Sequence, residues 1–216
     1  MKNILIYGAG GFGREIACLL KDINASMPQQ QWNLLGFIDD GVEVGTDLRY
    51  GKVLGGKNYF EQNQEPVAVI VAIAEPKVLR TVVGGIEQYP FIEFPNLIAP
   101  NAQFFDDETF TIGKGNVLFH GCRFSCDVSI GNFNMINGQV AFGHDVTIGD
   151  FNCFGPSARL SGYVEVGNGN FFGLGSAVIQ NKKVPDNVRL GIMSVLIRNA
   201  LDNQLYFWNP AKKIQS

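Results

Sequence analysis

The sequence predicts a small α/β unit followed by a parallel β-helix, and three observations predict it. From Ile112 to Leu190 an aliphatic or aromatic residue returns at every sixth position: Ile112, Leu118, Phe124, Ile130, Ile136, Phe142, Ile148, Phe154, Leu160, Val166, Phe172, Val178, Val184 and Leu190. A second beat of eighteen lies on top of it, carried by the frames Ile112-Gly113…Asn116, Ile130-Gly131…Asn134, Ile148-Gly149…Asn152 and Val166-Gly167…Asn170. Ahead of both, apolar runs alternate with helical patterns in the order strand, helix, strand, connection, strand, helix, which is the order of an α/β unit.

A hexad cannot bury its apolar residue alone. Three short strands joined by tight corners make a triangular coil, and stacked coils bury a continuous column of side chains, so three hexads make one coil. Glycine at the second place of many hexads suits a corner, where a missing Cβ permits left-handed backbone. The asparagines, one per coil and in register, are placed to stack their amides as a ladder. An ordinary antiparallel β domain is the competing reading, and regular spacing over this length speaks against it.

In chain order, KNILIY (2–7) reads as a strand, Gly8-Ala9-Gly10-Gly11-Phe12-Gly13 as a glycine loop and REIACLLKDI as a helix. This GxGxxG lets backbone approach a ligand closely, and the helix N-terminus offers free amides to a phosphate. LLGFID is the second strand; it ends in Asp39-Asp40, an acidic pair able to receive hydrogen bonds from a ribose or a uracil. A turn-rich segment with Leu54-Gly55-Gly56 follows, then a buried strand VAVIVAI (67–73) and a helix from Glu75 through Val83. A dinucleotide fold needs two mononucleotide halves, and residues 1–92 have room for one, so this is a Rossmann-like half-domain. The loop admits three readings: an NAD(P) site, a bare packing role, and a site for a nucleotide-linked or free sugar, the last being favoured.

Residues 93–216 are assigned to the β-helix and its tail. Phe91–Asn101 crosses between the domains, with Pro95 and Pro100 fixing extended backbone. Ile98 and Phe104 suggest a first, irregular coil, interrupted by Asp106-Asp107-Glu108. Val184-Pro185-Asp186 closes the repeats, LGIMSVLIRN gives one more strand, and NALDNQLYFWNPAKKIQS reads as a tail.

Composition narrows the function. A formal charge of −3 carries no basic footprint, so nucleic acid and anionic membrane are not expected partners. No apolar run approaches the length of a membrane span, and MKNILIYGAG reads as a strand rather than a signal peptide, which makes cytoplasmic residence the expectation. Cys18, Cys122, Cys126 and Cys153 form no CxxC pair, a pattern of reduced thiols rather than of disulfides or a zinc cluster.

The chain has two histidines, and both fall at the third place of a hexad, near a corner of the prism. His120 and His144 are not whole coils apart and so belong to different corners. A neutral imidazole can take a proton from an attacking amine or hydroxyl, as acyl transfer requires. Asp145 is the candidate to orient His144, as the third member of a triad would. His120 is read as a structural or rim residue. No metal site is expected, since two histidines cannot supply a three-histidine zinc set.

The hexads match the pattern [LIV]-[GAED]-x-x-[STAV]-x and resemble the hexapeptide-repeat acyltransferases, a resemblance that implies a left-handed winding. The order GAGGFGRE, GFIDD, NGQVAFGHDVTIGDF and NPAKKI is similar, over almost the whole chain, to the sugar O-/N-acyltransferase family. That family includes sialic acid O-acetyltransferases and N-acetyltransferases of UDP-4-amino-sugars. The resemblance implies that His144 is the general base, that Asp145 holds its imidazole, and that Gly162 presents its backbone amide to the thioester carbonyl. It further implies a homotrimer with active sites between adjacent prisms, and acetyl-CoA along a groove near Leu174, Gly191 and Ile192. Trp208 and Lys212 are candidates for the adenine and a CoA phosphate. Gly8, Gly10, Gly11, Phe12, Gly13, Asp39, Asp40 and Asn137 are the candidates to hold the acceptor. Ala74-Glu75-Pro76 stands where UDP-sugar-binding members tend to have Gly-Asn or Gly-Asp.

The expected activity is an acetyl-CoA-dependent, metal-independent sugar O- or N-acetyltransferase, working by direct transfer in surface glycan or nucleotide-sugar biosynthesis. A non-catalytic trimeric scaffold that binds a sugar or nucleotide is the alternative from another class, and an oxidoreductase using the GxGxxG is a third.

Overall fold

The computed structural model describes residues 1–210 and 212–214, in two units, Met1–Pro100 and Asn101–Ser216. In the first, β1 (Lys2–Tyr7), β2 (Trp32–Ile38), β3 (Asp47–Leu48), β4 (Gly51–Gly55), β5 (Val67–Val71) and β6 (Ile92–Glu93) form one sheet in the order β3-β4-β2-β1-β5-β6. Only the β3–β4 pair is antiparallel. β1 and β5 have parallel neighbours on both sides, and Ile4–Tyr7 and all of β5 are buried, so their apolar runs are continuous rather than alternating.

Helix α1 (Gly11–Ser26) buries Ile16, Leu19, Leu20 and Ile23, one stripe at helical spacing, and stops before Pro28, ahead of which Met27 is extended. The short α2 spans Tyr59–Gln62, and α3 spans Pro76–Ile86 with its proline in the first turn, where the missing N–H costs nothing. β4 is a strand where the sequence reads as turns. The close approach of β2 to β4 depends on Gly36 of β2, where a Cβ would lie 2.5 Å from the carbonyl oxygen of Lys52.

In the second unit, two-residue strands stack in parallel into three sheets. The hexad column is the core. Leu118, Ile136, Phe154, Phe172 and Leu190 pair in one sheet, Phe124, Phe142, Leu160 and Val178 in the second, and Ile130, Ile148, Val166 and Val184 in the third. All of these are buried, while Ile112, at the head of its column, is partly exposed. Phe104 pairs with Phe124 and stacks on it at 5.2 Å, so the irregular first coil is real. The tail contributes more than the sequence suggests. Leu205–Phe207 extends the first sheet in parallel beside Arg189–Leu190, and Lys212–Ile214 closes it antiparallel.

The asparagine ladder forms. Asn116, Asn134, Asn152 and Asn170 are fully buried, and each Oδ1 accepts from the backbone of the next coil: Asn134 N at 2.8 Å, Asn152 N at 2.9 Å, Asn170 N at 2.9 Å and Val188 N at 2.7 Å. Burial without such partners would cost about 1–3 kcal/mol per group.

The corner glycines have a different cause from the expected one. Left-handed backbone falls at the fourth place of the hexad, at Asp127, Phe133, Gln139, Asp145, Phe151, Ser157 and Tyr163 among others. The second-place glycines instead face the next coil. A Cβ on Gly113, Gly131 or Gly149 would lie 2.6–2.8 Å from the carbonyl oxygen of the second-place glycine one coil on. Glycine is needed there for coil spacing, not for φ.

Cys122 is fully buried, and its thiol donates to the carbonyl of Asn137 at 3.2 Å. Burial pushes its pKa up to about 11, with backbone hydrogen bonds opposing the shift in part. A folded pKa above the unfolded value favours folding at low pH and loses that contribution as pH rises. Stability is therefore expected to fall between about pH 9 and 11 by roughly 2–3 kcal/mol. Denaturant titrations across that window should show the slope, and Cys122→Ala should flatten it.

Candidate functional site

The corner that carries His144 is built from third-place residues one coil apart, Cys126, His144, Gly162 and Gln180, followed by fourth-place residues Asp127, Asp145, Tyr163 and Asn181. Asp145 is left-handed, and its N–H donates to the Cys126 carbonyl at 3.1 Å, which turns its carboxylate back along the chain. Its Oδ2 lies 2.8 Å from His144 Nδ1. An ionised carboxylate only accepts, so Nδ1 carries the hydrogen and Nε2 is left with a free lone pair. The two side chains are 45% and 40% exposed, which leaves the pair open to a ligand.

Gly162 lies directly beside the imidazole. A Cβ there would sit 2.5 Å from both Cε1 and Nε2 of His144. The ring occupies the space a side chain would take, and the Gly162 backbone faces the basic nitrogen bare. Its amide is also unusual in its surroundings. At the Lys114 corner the third-place amides are capped by the next coil's side chain, as in Asn132 N to Asp150 Oδ1 at 2.7 Å and Asp150 N to Asn168 Oδ1 at 2.8 Å. At the His144 corner no such cap is present among the described residues, so the Gly162 N–H is left without one. An uncapped donor next to a base is what an oxyanion requires.

Tyr163, which the sequence reading passed over, meets the same imidazole at right angles, with ring centroids 4.9 Å apart. A signal for it existed: it stands one whole coil beyond Asp145, in the same column.

A different corner holds Asn137, Leu174, Gly191, Ile192 and Trp208. Asn137 Oδ1 accepts from Gly138 N at 2.7 Å. Leu174, Ile192, Met193 and Trp208 are 50–66% exposed, an apolar ridge along successive coils. Gly191 is fixed by packing, since a Cβ there would run into the ring of Phe207, whose strand partner is the exposed Lys212. One chain therefore brings His144, Asp145 and Gly162 together and places the candidate CoA residues at another corner of its prism. His120 shares that second corner, away from His144.

In the first unit the glycine loop divides by role. Gly8 is left-handed and a Cβ on it would lie 2.8 Å from the Ala72 carbonyl; a Cβ on Gly13 would collide with the Gly8 carbonyl. These two let β1, β5 and α1 meet. Nothing lies within 4 Å of a Cβ on Gly10, and only the Arg14 guanidinium, at 3.9 Å, approaches one on Gly11. The open pair stands at the N-terminus of α1, beside the half-buried Phe12, and the strand order reverses at β1, where α/β sheets form their crevice.

Asp39 and Asp40 brace this loop. Asp39 Oδ2 accepts from Ala9 N at 2.8 Å and Oδ1 from Gly41 N at 2.8 Å. Asp40 Oδ2 accepts from the Tyr7 hydroxyl at 2.6 Å and Oδ1 from Lys57 N at 2.7 Å. Burial, then the bond to Asp40 and the charge of both aspartates, raise the Tyr7 pKa far above the ordinary phenol value, so Tyr7 remains a donor. Each carboxylate keeps lone pairs for a further donor. Glu75 precedes α3 as its N-cap residue, with extended backbone and no side-chain cap bond.

Among the described residues no group of three or more His, Cys, Asp or Glu is arranged to hold a metal ion, and no helix is long and apolar enough to cross a membrane. Residues 3–86 match the family described as PglD N-terminal domain. No curated protein matches the sequence. Among solved structures, a variant of perosamine N-acetyltransferase from Caulobacter crescentus, in complex with CoA and GDP-perosamine, is 22% identical with a TM-score of 0.85, covering 100% of this chain and 98% of its own. The acetyltransferase domain of PglB from Neisseria gonorrhoeae, in complex with acetyl coenzyme A, is 22% identical with a TM-score of 0.86, covering 99% of each. WeeI from Acinetobacter baumannii is 24% identical with a TM-score of 0.82, covering 99% of this chain and 100% of its own. At these identities the likeness establishes the fold, an α/β half-domain followed by a left-handed parallel β-helix.

Proposed function

We propose that this chain, whose residues 3–86 form a PglD N-terminal domain and whose whole length has the fold of solved sugar N-acetyltransferases, is an acetyl-CoA-dependent sugar acetyltransferase. The observation that carries the reading is the His144–Asp145 pair with its free Nε2 beside the bare Gly162 backbone. His144 Nε2 takes the proton as the acceptor nitrogen or oxygen attacks the thioester carbonyl carbon. Asp145 stabilises the imidazolium, and the Gly162 N–H donates to the oxyanion. Collapse of the tetrahedral intermediate breaks the C–S bond, and the thiolate leaves with the proton from His144. The products are the acetylated sugar and free CoA, with no covalent enzyme intermediate.

The acceptor is a nucleotide-linked amino sugar held by the first unit, with Gly10 and Gly11 toward the diphosphate, Phe12 beside it, and Asp39 and Asp40 toward the nucleoside. GDP-perosamine in the Caulobacter protein supports an amine over a hydroxyl as acceptor. Acetyl-CoA lies along Leu174, Gly191 and Ile192, with Trp208 on its adenine and Lys212 near a phosphate. These residues and the His144 pair occupy different corners of one prism, and a cyclic homotrimer in which each copy's His144 corner meets its neighbour's second corner completes the site. The reaction takes place in the cytoplasm, in the making of surface glycans.

Thermal-shift measurements with acetyl-CoA, GDP- and UDP-linked amino sugars, CMP- and free sialic acids and NAD(H) test this, since a ligand that binds only the folded state raises Tm. Stabilisation by acetyl-CoA and one sugar class is expected, with CoA release when both are present and a solution mass of three 23.7 kDa chains. A response to a sugar or to NAD(H), with none to acetyl-CoA, would overturn it.

A further inference from the structure

We infer that Tyr163 is a positioning residue for the base: its ring holds the His144 imidazole in the orientation that keeps Nε2 outward. The geometry stands alone, while its kinetic consequence rests on the acetyltransferase reading above.

A single hydrogen bond at Nδ1 leaves an imidazole free to rock about the bond and to turn over about its side-chain torsion. On one side Asp145 restrains it. On the other is Gly162, whose lack of a Cβ makes room for the ring and so offers it no wall. Tyr163 supplies that wall from the next residue. Its N–H donates to the His144 carbonyl at 3.0 Å, which ties the two backbones together, and its ring stands at 87° to the imidazole.

Tyr163 is also hard to explain by packing. It has φ of +56°, a conformation that bulky side chains avoid, and it is 50% exposed. Phe133 and Phe151 share that strained corner position, but they stack on each other at 5.3 Å, and Phe133 is buried. Most other fourth places hold glycine or polar residues, such as Gly115, Gly169, Asn181 and Asn187, and Met193 is the other exposed apolar side chain there. Among the described residues, the one ring that Tyr163 meets is that of His144.

The test uses the full chain with Tyr163→Gly, which removes the ring from a left-handed position that glycine adopts without strain, and Tyr163→Phe, which keeps the ring and removes the hydroxyl. With acetyl-CoA and the amino-sugar nucleotide that supports turnover by the wild type, Tyr163→Gly should lower kcat roughly tenfold or more, with KM for both substrates changed less than about twofold. Tyr163→Phe should recover most of the loss. An unchanged kcat in Tyr163→Gly, a raised KM at constant kcat, or equal damage from both substitutions would overturn the inference. Proton NMR of the two histidines reads the geometry without turnover. The His144 ring signals should lose their aromatic ring-current shift and broaden in Tyr163→Gly but not in Tyr163→Phe, and unchanged signals would overturn it. If the wild type releases no CoA, the acetyltransferase reading fails and the NMR result alone decides.

Discussion

Replacing His144 with alanine is expected to lower CoA release by a factor of about 10²–10⁴, the span that a positioned general base contributes. Tm should move little, because the side chain is half-exposed and its one described side-chain hydrogen bond is to Asp145. Asp145→Asn should fall between the two, since it keeps the shape and loses the charge that favours the imidazolium. Gly162→Ala should approach the loss seen on removing the base, for a steric reason: its Cβ would sit 2.5 Å from Nε2, so the imidazole must leave its slot or the coil must move. Turnover by His144→Ala within a few-fold of wild type, measured as thiol release, would remove this histidine from the chemistry.

Asn134→Ala is expected to give the largest loss of stability, roughly 3–6 kcal/mol. The substitution strips the acceptor from two donors of Asn152, its backbone N at 2.9 Å and its Nδ2 at 3.0 Å, and removes one side-chain donor from Asn116 Oδ1 at 3.0 Å, all fully buried. Each buried orphan costs about 1–3 kcal/mol, and in a chain of this size about 1 kcal/mol lowers Tm by ~2–4 °C. A drop of roughly 6–24 °C by calorimetry is therefore expected. Asn132→Ala, in the more accessible ladder at the Lys114 corner, provides the contrast and should cost about 1 kcal/mol. Equal Tm values for wild type and Asn134→Ala would show that water or a shift of the coils replaces the ladder.

The prism was legible because its signal is redundant. A six-residue beat fixes which side chains point inward, an eighteen-residue beat fixes which of them stack, and from Leu118 to Leu190 the two agree with the buried columns. The first unit was legible where apolar runs met a glycine loop. β4 was not, because glycine at 51, 55 and 56 reads as turn, and its use for close strand contact depends on Gly36 in another strand. The last strands escaped for a related reason: Leu205–Phe207 continues a sheet whose spacing the sequence had already broken. At the site, His144 and Asp145 were singled out by residue type and position, and Gly162 by the family resemblance alone. Tyr163 was not, because its place one coil beyond Asp145 marks the column but not the contact its ring makes with the imidazole.

The contacts between coils join residues eighteen apart, from the buried amides of Asn134 and Asn152 to the outer caps of Asn132 and Asp150. His144 and Gly162 keep the same interval. A single inserted residue within this region would turn every following core side chain outward and would part the base from its glycine, whereas a whole coil could be gained or lost with every pairing preserved. Length in this prism is thus quantised. The departures fall at its ends, the twenty-residue step from Phe104 to Phe124 in the first coil and the sixteen-residue step from Leu190 to Tyr206 in the last, where the regular coils between them keep their register.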